Sequence, residues 1–345
     1  LLRGFIAFMS QGMIPNRFPD QATRLPTWPA NASSGSGGPA YSPEYHPEYN
    51  TVDATLWLFH ALDAYLSVSG DWPLLAELFA ALDSSIDWHI RGTRYGIGVD
   101  PGDGLLRAGA PGVQLTWMDA RLGDWVVTPR WGKPVEVCAL WYRALRLMAG
   151  WAERMGSDAA PYSALAAEAQ ANFAARFWYA AGGYFYDVID VAGEPGKVDA
   201  ALRPNQVLAL AVAPELASAE QARSALMVVE RELLTPLGLR TLAPADPAFH
   251  GVYGGDQRSR DGAYHQGTAW PWLLGAYADA RAHAFPEEDA VATRARLLGP
   301  LQAHLREAGV GSISEIAWGA APFTPDGCPA QAWSVAEALR LATAR

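Results

Sequence analysis

The 345 residues carry a formal charge of −10 and are 50% apolar, enough for one large domain with a substantial core. A phosphate backbone or an anionic membrane repels such a field unless a basic patch offsets it, and none is present, because lysine occurs only at Lys133 and Lys197 and the arginines are scattered. No apolar run approaches the ~20 residues that span a bilayer, and the two cysteines, Cys138 and Cys328, fit neither a zinc spacing nor a disulfide framework, so a reducing, cytoplasmic setting is expected.

The chain opens on LLRGFIAFMSQG, which reads as a helix cut open. Residues 26–49, rich in Ser, Gly, Pro and Tyr, are expected to be a flexible loop insertion within a single domain spanning 1–345. From Asn50 the apolar residues Val52, Leu56, Phe59, Leu62 and Leu66 recur at three and four and Gly70 closes the run, predicting a helix, with a second from Asp71 to about Arg91. Further helices are expected over 134–155, 161–178, 204–212, 218–234, 267–283, 287–308 and 329–341, with a short strand over 184–189 and a long loop from 235 to Gln266. Five of these helices start near 51, 135, 204, 267 and 329, a repeat of 62 to 84 residues. Three carry proline at the expected first turn, Pro134, Pro204 and Pro329, where its missing N–H is harmless. Alternating inner and outer helices of this kind make an all-α (α/α)6 toroid of helical hairpins, with the first hairpin expected to be largely missing.

The stretch from Val113 to Val137 stands apart. Its 25 residues hold Trp117, Trp125, Trp131, Asp119, Asp124 and Glu136, with Gly123, Pro129, Gly132 and Pro134 keeping most of it from helix. Rings in a loop must be covered by the fold or by a ligand with apolar faces. A pyranose has such faces and a rim of hydroxyls, so indole beside carboxylate suits a sugar. Thr116-x-x-Asp119 and Ser312-x-x-Glu315 also fit capping boxes, but Gly123 and Pro129 after the first, and Gly319, Pro322 and Pro325 after the second, leave no room for a helix. Asn50 and Asp53 form a capping pair before a real helix and are candidates for substrate contact as well. Glu136 suits a helix first turn and is the second candidate for an acid or a substrate contact. Arg121, Asp124, Asp261, His265, Gln266 and Trp318 complete the expected sugar contacts, while Trp57, Trp141 and Trp151 lie within helices and read as core. No metal spacing and no G-x-S-x-G is present, so no cofactor is expected.

The motifs GMIPNRF, YNTVDATLW, DGLLRAGAPGVQLTWMDAR, GDWVVTPRWGKPVEVCALWY, FYDVID, LRPNQ, LLTPLGLRTL, YHQGTAWPWLLG, GSISEI and CPAQAWSVAEALR, in this order, resemble the amylo-α-1,6-glucosidase catalytic domain of glycogen debranching enzymes, over nearly the whole chain. A Gly-Arg-Asp-Thr stretch that the family carries has no counterpart. The resemblance implies a glucoamylase-like toroid that removes glucose from α-1,6 branches of glycogen or limit dextrins with inversion, Asp119 as general acid and Glu315 as general base. An inverting pair stands about 6.5–9.5 Å apart, to admit water. An α-1,4 exo-glucosidase, a trehalase-like hydrolase and a non-catalytic glucan-binding relic are the other readings.

Overall fold

The computed structural model describes residues 1–18 and 47–343. Except for its last three residues, the expected insertion over 26–49 lies outside that description. The described residues form helices α1 (Leu2–Ala7), α2 (Asp53–Ser69), α3 (Trp72–Arg91), α4 (Val135–Met155), α5 (Ala160–Phe177), α6 (Asn205–Val212), α7 (Ala219–Glu232), α8 (Gln257–Tyr264), α9 (Leu273–Ala284), α10 (Ala290–His304) and α11 (Ala332–Thr343).

Local chemistry sets the helix ends. The Asp71 and Asp289 side chains accept backbone N–H groups at the starts of α3 and α10, and Ser218 and Gln221 complete a reciprocal capping box on α7. Gly70 and Gly156 close α2 and α4 in the left-handed conformation, which costs glycine nothing. Pro134 and Pro204 precede their helices as cap residues and Pro329 lies before α11, whereas the prolines inside a first turn are Pro73 of α3 and Pro161 of α5.

Burial sorts the helices into two layers. Helix α4 is buried on nearly every side, with Trp141 and Trp151 among the core residues, as a helix surrounded by others must be. Helices α2, α4, α6, α9 and α11 pack in that order, each on the next. Helices α3 and α5 back onto α4, α7 and α10 back onto α9, and α10 also packs on α11. This is the inner and outer layering of a toroid of helical hairpins. The ends of the inner row, α2 and α11, do not pack on each other as the other neighbours do. Among the described residues no helix is long and apolar enough to cross a membrane.

Short strands tie the loops at the ends of the inner helices. Leu234–Thr235, Gly238–Arg240, Ala269–Trp270, Ile316–Ala317 and Pro325–Asp326 form one antiparallel sheet in that order, with Ala269 facing Ala317. This pairing sets the loop before α9 beside the loop before α11. It also corrects two expectations. Trp270 belongs to a strand and α9 begins only at Leu273, six residues after the expected Gly267. The region read as one loop up to Gln266 contains α8. The expected strand over 184–189 is two: Tyr184–Phe185 pairs with Trp178–Tyr179, and Val188–Ile189 with both Lys133–Pro134 and Val198–Asp199.

Candidate active site

Neither expected carboxylate starts a helix. Asp119 lies in the irregular chain before the hairpin of Arg121–Leu122 and Trp125–Val126, and Glu315 immediately precedes the strand Ile316–Ala317. The capping-box alternative therefore falls away for both.

Trp117 anchors the first loop. Its backbone N–H donates to Asp53 Oδ2 at 2.8 Å and its indole Nε1 donates to Asn205 Oδ1 at 2.8 Å. Its ring meets His265, Trp270 and Trp272 edge to face, with centroids 5.3, 5.4 and 5.1 Å away, geometry that aromatic quadrupoles favour. Two residues on, the Asp119 side chain is 63% accessible. Desolvation by the protein around it, with a further push from the charge of Glu315 and against its own backbone N–H, raises the Asp119 carboxyl from 3.8 to about 6. It is a carboxyl that keeps its proton to higher pH than an ordinary aspartate does.

Glu315 is held by donors. Its Oε2 accepts the Cys328 N–H at 3.0 Å, its Oε1 accepts from Gln331 Nε2 at 2.8 Å, and the Tyr264 hydroxyl donates to it as well. Gly327, at φ +70°, makes this possible, since a Cβ there would lie 2.7 Å from Glu315 Oε2. Tyr264, the last residue of α8, feels both carboxyls. Burial, its bond to Glu315 and the charges of Glu315 and Asp119 all push its hydroxyl pKa up, so it remains a donor.

Beneath lies a buried ionic network. Arg130 donates to both oxygens of Glu136 and to both oxygens of Asp187. Burial opposes the Arg130 charge, and Asp187 and Glu136 outweigh it. Asp187 Oδ1 accepts from Asn205 Nδ2 at 2.7 Å, so the bond that orients the Trp117 indole is itself braced by Arg130. Gln266 is buried and bonded to Arg203, Val127 O and Thr128 Oγ1. Glu136 and Gln266 were expected to touch substrate; here protein partners take their polar atoms. Asp53 is buried too, bonded by Thr51 Oγ1 and Trp117 N–H, and burial outweighs both to raise it to about 6.

Of the remaining expected contacts all but His265 are more open. Arg121 and Asp124 are exposed on the hairpin, Arg121 Nε donating to Gly123 O at 2.7 Å. Trp125 is half-buried beneath Arg258, whose guanidinium carbon lies 4.4 Å from the ring centroid, and Asp261 is half-buried on α8. Trp318 is half-buried and donates to Asp326 Oδ2 at 3.0 Å. Asn50 donates its backbone N–H to Asn16 Oδ1 and does not cap α2. His265 is fully buried, flat against Trp270 at 5.1 Å, with Nε2 3.6 Å from Asp119 Oδ1. Burial first, then Arg203 and Arg130, lower its pKa to about 3, so this contact is not an ion pair.

Sequence reasoning missed Tyr264, Asn205, Arg130 and Asp187. All four lie within the motifs YHQG, LRPNQ, GDWVVTPRWGK and FYDVID, but Arg130 and Asp187 gain meaning only once distant loops meet. It also did not foresee that Asp100, Asp103 and Asp190 converge, the group among the described residues most like a cation site. The Lys133 ammonium fills that place, at 2.7, 2.7 and 2.8 Å, with Arg176 bonded to Asp103 and Asp190.

A family model described as amylo-alpha-1,6-glucosidase matches residues 4–340. A glycogen debranching enzyme from Saccharomyces cerevisiae is 39% identical over 98 residues, which are 27% of this chain and 6% of that enzyme's length. Among solved structures, a GH63 mannosylglycerate hydrolase from Thermus thermophilus in complex with glucose is similar with a TM-score of 0.68 and 17% identity, covering 100% of this chain and 87% of that one. An uncharacterized conserved protein from the same organism gives 0.61 and 16%, covering 88% and 82%. At these identities the structural likeness speaks for the fold alone.

Proposed function

The chain belongs to the amylo-alpha-1,6-glucosidase family, and from that membership we propose that it is an inverting glycosidase releasing glucose from the α-1,6 branch points of glycogen or limit dextrins. The observation that carries the reading is the contrast between two carboxyls that feel one another: Asp119, raised to about 6, and Glu315, both of whose oxygens accept hydrogen bonds. Asp119 gives its proton to the glycosidic oxygen as the bond to the anomeric carbon breaks. Glu315 takes a proton from the water that attacks the opposite face, and the configuration inverts. Trp117, Trp125 and Trp318 supply faces for sugar rings, with Asn50, Arg121, Asp124 and Asp261 around the rim and Asp53 holding the Trp117 loop. A branched α-glucan is the partner, the whole chain serves as one catalytic domain, and the free thiols of Cys138 and Cys328 suit a cytoplasmic setting.

Proton NMR of the first sugar released from a branched limit dextrin tests the reading. β-Glucose is expected; α-glucose appearing first excludes inversion. A second reading, a hydrolase of small glycosides, follows the Thermus relative, a mannosylglycerate hydrolase. Turnover of mannosylglycerate with no glucose from the dextrin would select it.

A further inference from the structure

His265 presents an unusual state for a buried polar side chain. It is fully buried, and neither Nδ1 nor Nε2 has a hydrogen-bond partner, although buried polar groups are nearly always bonded. The ring cannot turn to find one. Trp270 lies flat against it, Trp117 meets it edge to face at 5.3 Å, and Tyr264 tilts against it at 4.7 Å. Held this way, Nε2 faces Asp119 Oδ1 at 3.6 Å, just beyond hydrogen-bond length. The imidazole has no accessible surface for a sugar hydroxyl to reach.

We propose that His265 is a positioning residue for Asp119, its Nε2–H donating to the Asp119 carboxylate as that carboxylate forms. The inference rests on Asp119 being the general acid. Before reaction Asp119 carries its proton and needs no donor. When the proton passes to the departing glycosidic oxygen and the bond to the anomeric carbon breaks, the charge remains on Asp119. A shift of roughly half an ångström then completes the bond, and the accessible Asp119 side chain has room for it. A contact completed only as charge develops lowers the barrier without tightening substrate binding. The groups facing the pair are Arg203 and Arg130 beside His265, Glu315 and Asp53 beside Asp119, and Tyr264 against both. The two guanidinium groups and burial keep the imidazole neutral, so it acts as an N–H donor and never as a rival acid.

The experiment compares two substrates in His265→Phe and His265→Gln, with Asp119→Asn alongside and thermal melts to confirm folding. An α-1,6-linked dextrin needs its leaving group protonated, whereas α-glucosyl fluoride, which departs as fluoride, does not. His265→Phe should lose about 10- to 100-fold in kcat/KM on the dextrin, the worth of one charge-assisted bond, and less than about threefold on the fluoride. Its basic limb should move to higher pH, since the lost donor favoured the ionised form. His265→Gln, which keeps an amide N–H, should recover part of the dextrin rate. Equal losses on both substrates in both variants would mean packing or sugar contact and would overturn the proposal, as would no loss on either. Should Asp119→Asn keep its dextrin activity, the acid assignment fails and this inference falls with it; an inactive Asp119→Asn beside an unaffected His265→Phe sinks this inference alone.

Discussion

Replacing Glu136 by Gln separates a structural acid from a chemical one. The Glu136 side chain is 0% accessible and that of Arg130 2%, so solvent does not screen their interaction. Both Glu136 oxygens accept from Arg130. The amide keeps one acceptor and turns the other into an NH2 pointing at a guanidinium N–H, leaving Arg130 to be neutralised by Asp187 alone. Breaking one arm of such a buried network costs about 3–5 kcal/mol, or roughly 4–7 °C in melting temperature for a chain of this size. Because Arg130 also braces Asp187 and, through Asn205, Trp117, the surviving folded fraction should bind glucan less well. Differential scanning fluorimetry, with kcat and KM measured well below the melt, reads both effects. A variant that melts like the parent and yet loses kcat by orders of magnitude would refute the reasoning and return Glu136 to the chemistry.

Asp119→Asn and Glu315→Gln should each lower kcat by about 10²–10⁴-fold with glucan binding retained, checked by steady-state rates and isothermal titration; near-normal turnover in either overturns its role. Asp53 offers a pH test. Its folded pKa of about 6 lies above the ordinary 3.8, so the fold binds its proton more tightly than the unfolded chain does. That contribution to stability is complete below about pH 4 and is lost as pH rises through 6. Asp53→Asn should flatten this part of the stability profile in urea melts at pH 4 and 6.5, and an unchanged profile would mean that Asp53 is not the group responsible.

The inner helices were legible because their periodicity is strong and their ends are marked, as at Leu56, Phe59, Leu62 and Gly70. Helix α8 was not: Gln257–Tyr264 is polar, with Gly262 inside, and it packs on rings from distant chain, Trp270 against Tyr264 and Trp125, to which a Cβ on Gly262 would come within 3.1 Å. The two-residue strands carry no period at all, and the register that sets Ala269 beside Ala317 depends on chain 48 residues away. At the site, the non-helical backbone around Trp117 and Asp119 could be read because glycine and proline exclude a helix there. The burial of Glu136 and Gln266 was not legible, because a buried and an exposed carboxylate or amide look alike in sequence. Their partners Arg130 and Arg203 reach them only in the folded chain, which is also why Asn205 escaped notice.

The seating of Lys133 among three aspartates bears on how the protein can be handled. Of its two lysines, this one has a side chain only 2% accessible and is tied down as an ammonium, whereas Lys197 is half exposed at the edge of a turn. Acylating reagents need a free, deprotonated amine. In the native state they should therefore reach Lys197 and the α-amino group and spare Lys133. A fluorophore or a solid support attached at Lys197 would leave the interior cation untouched.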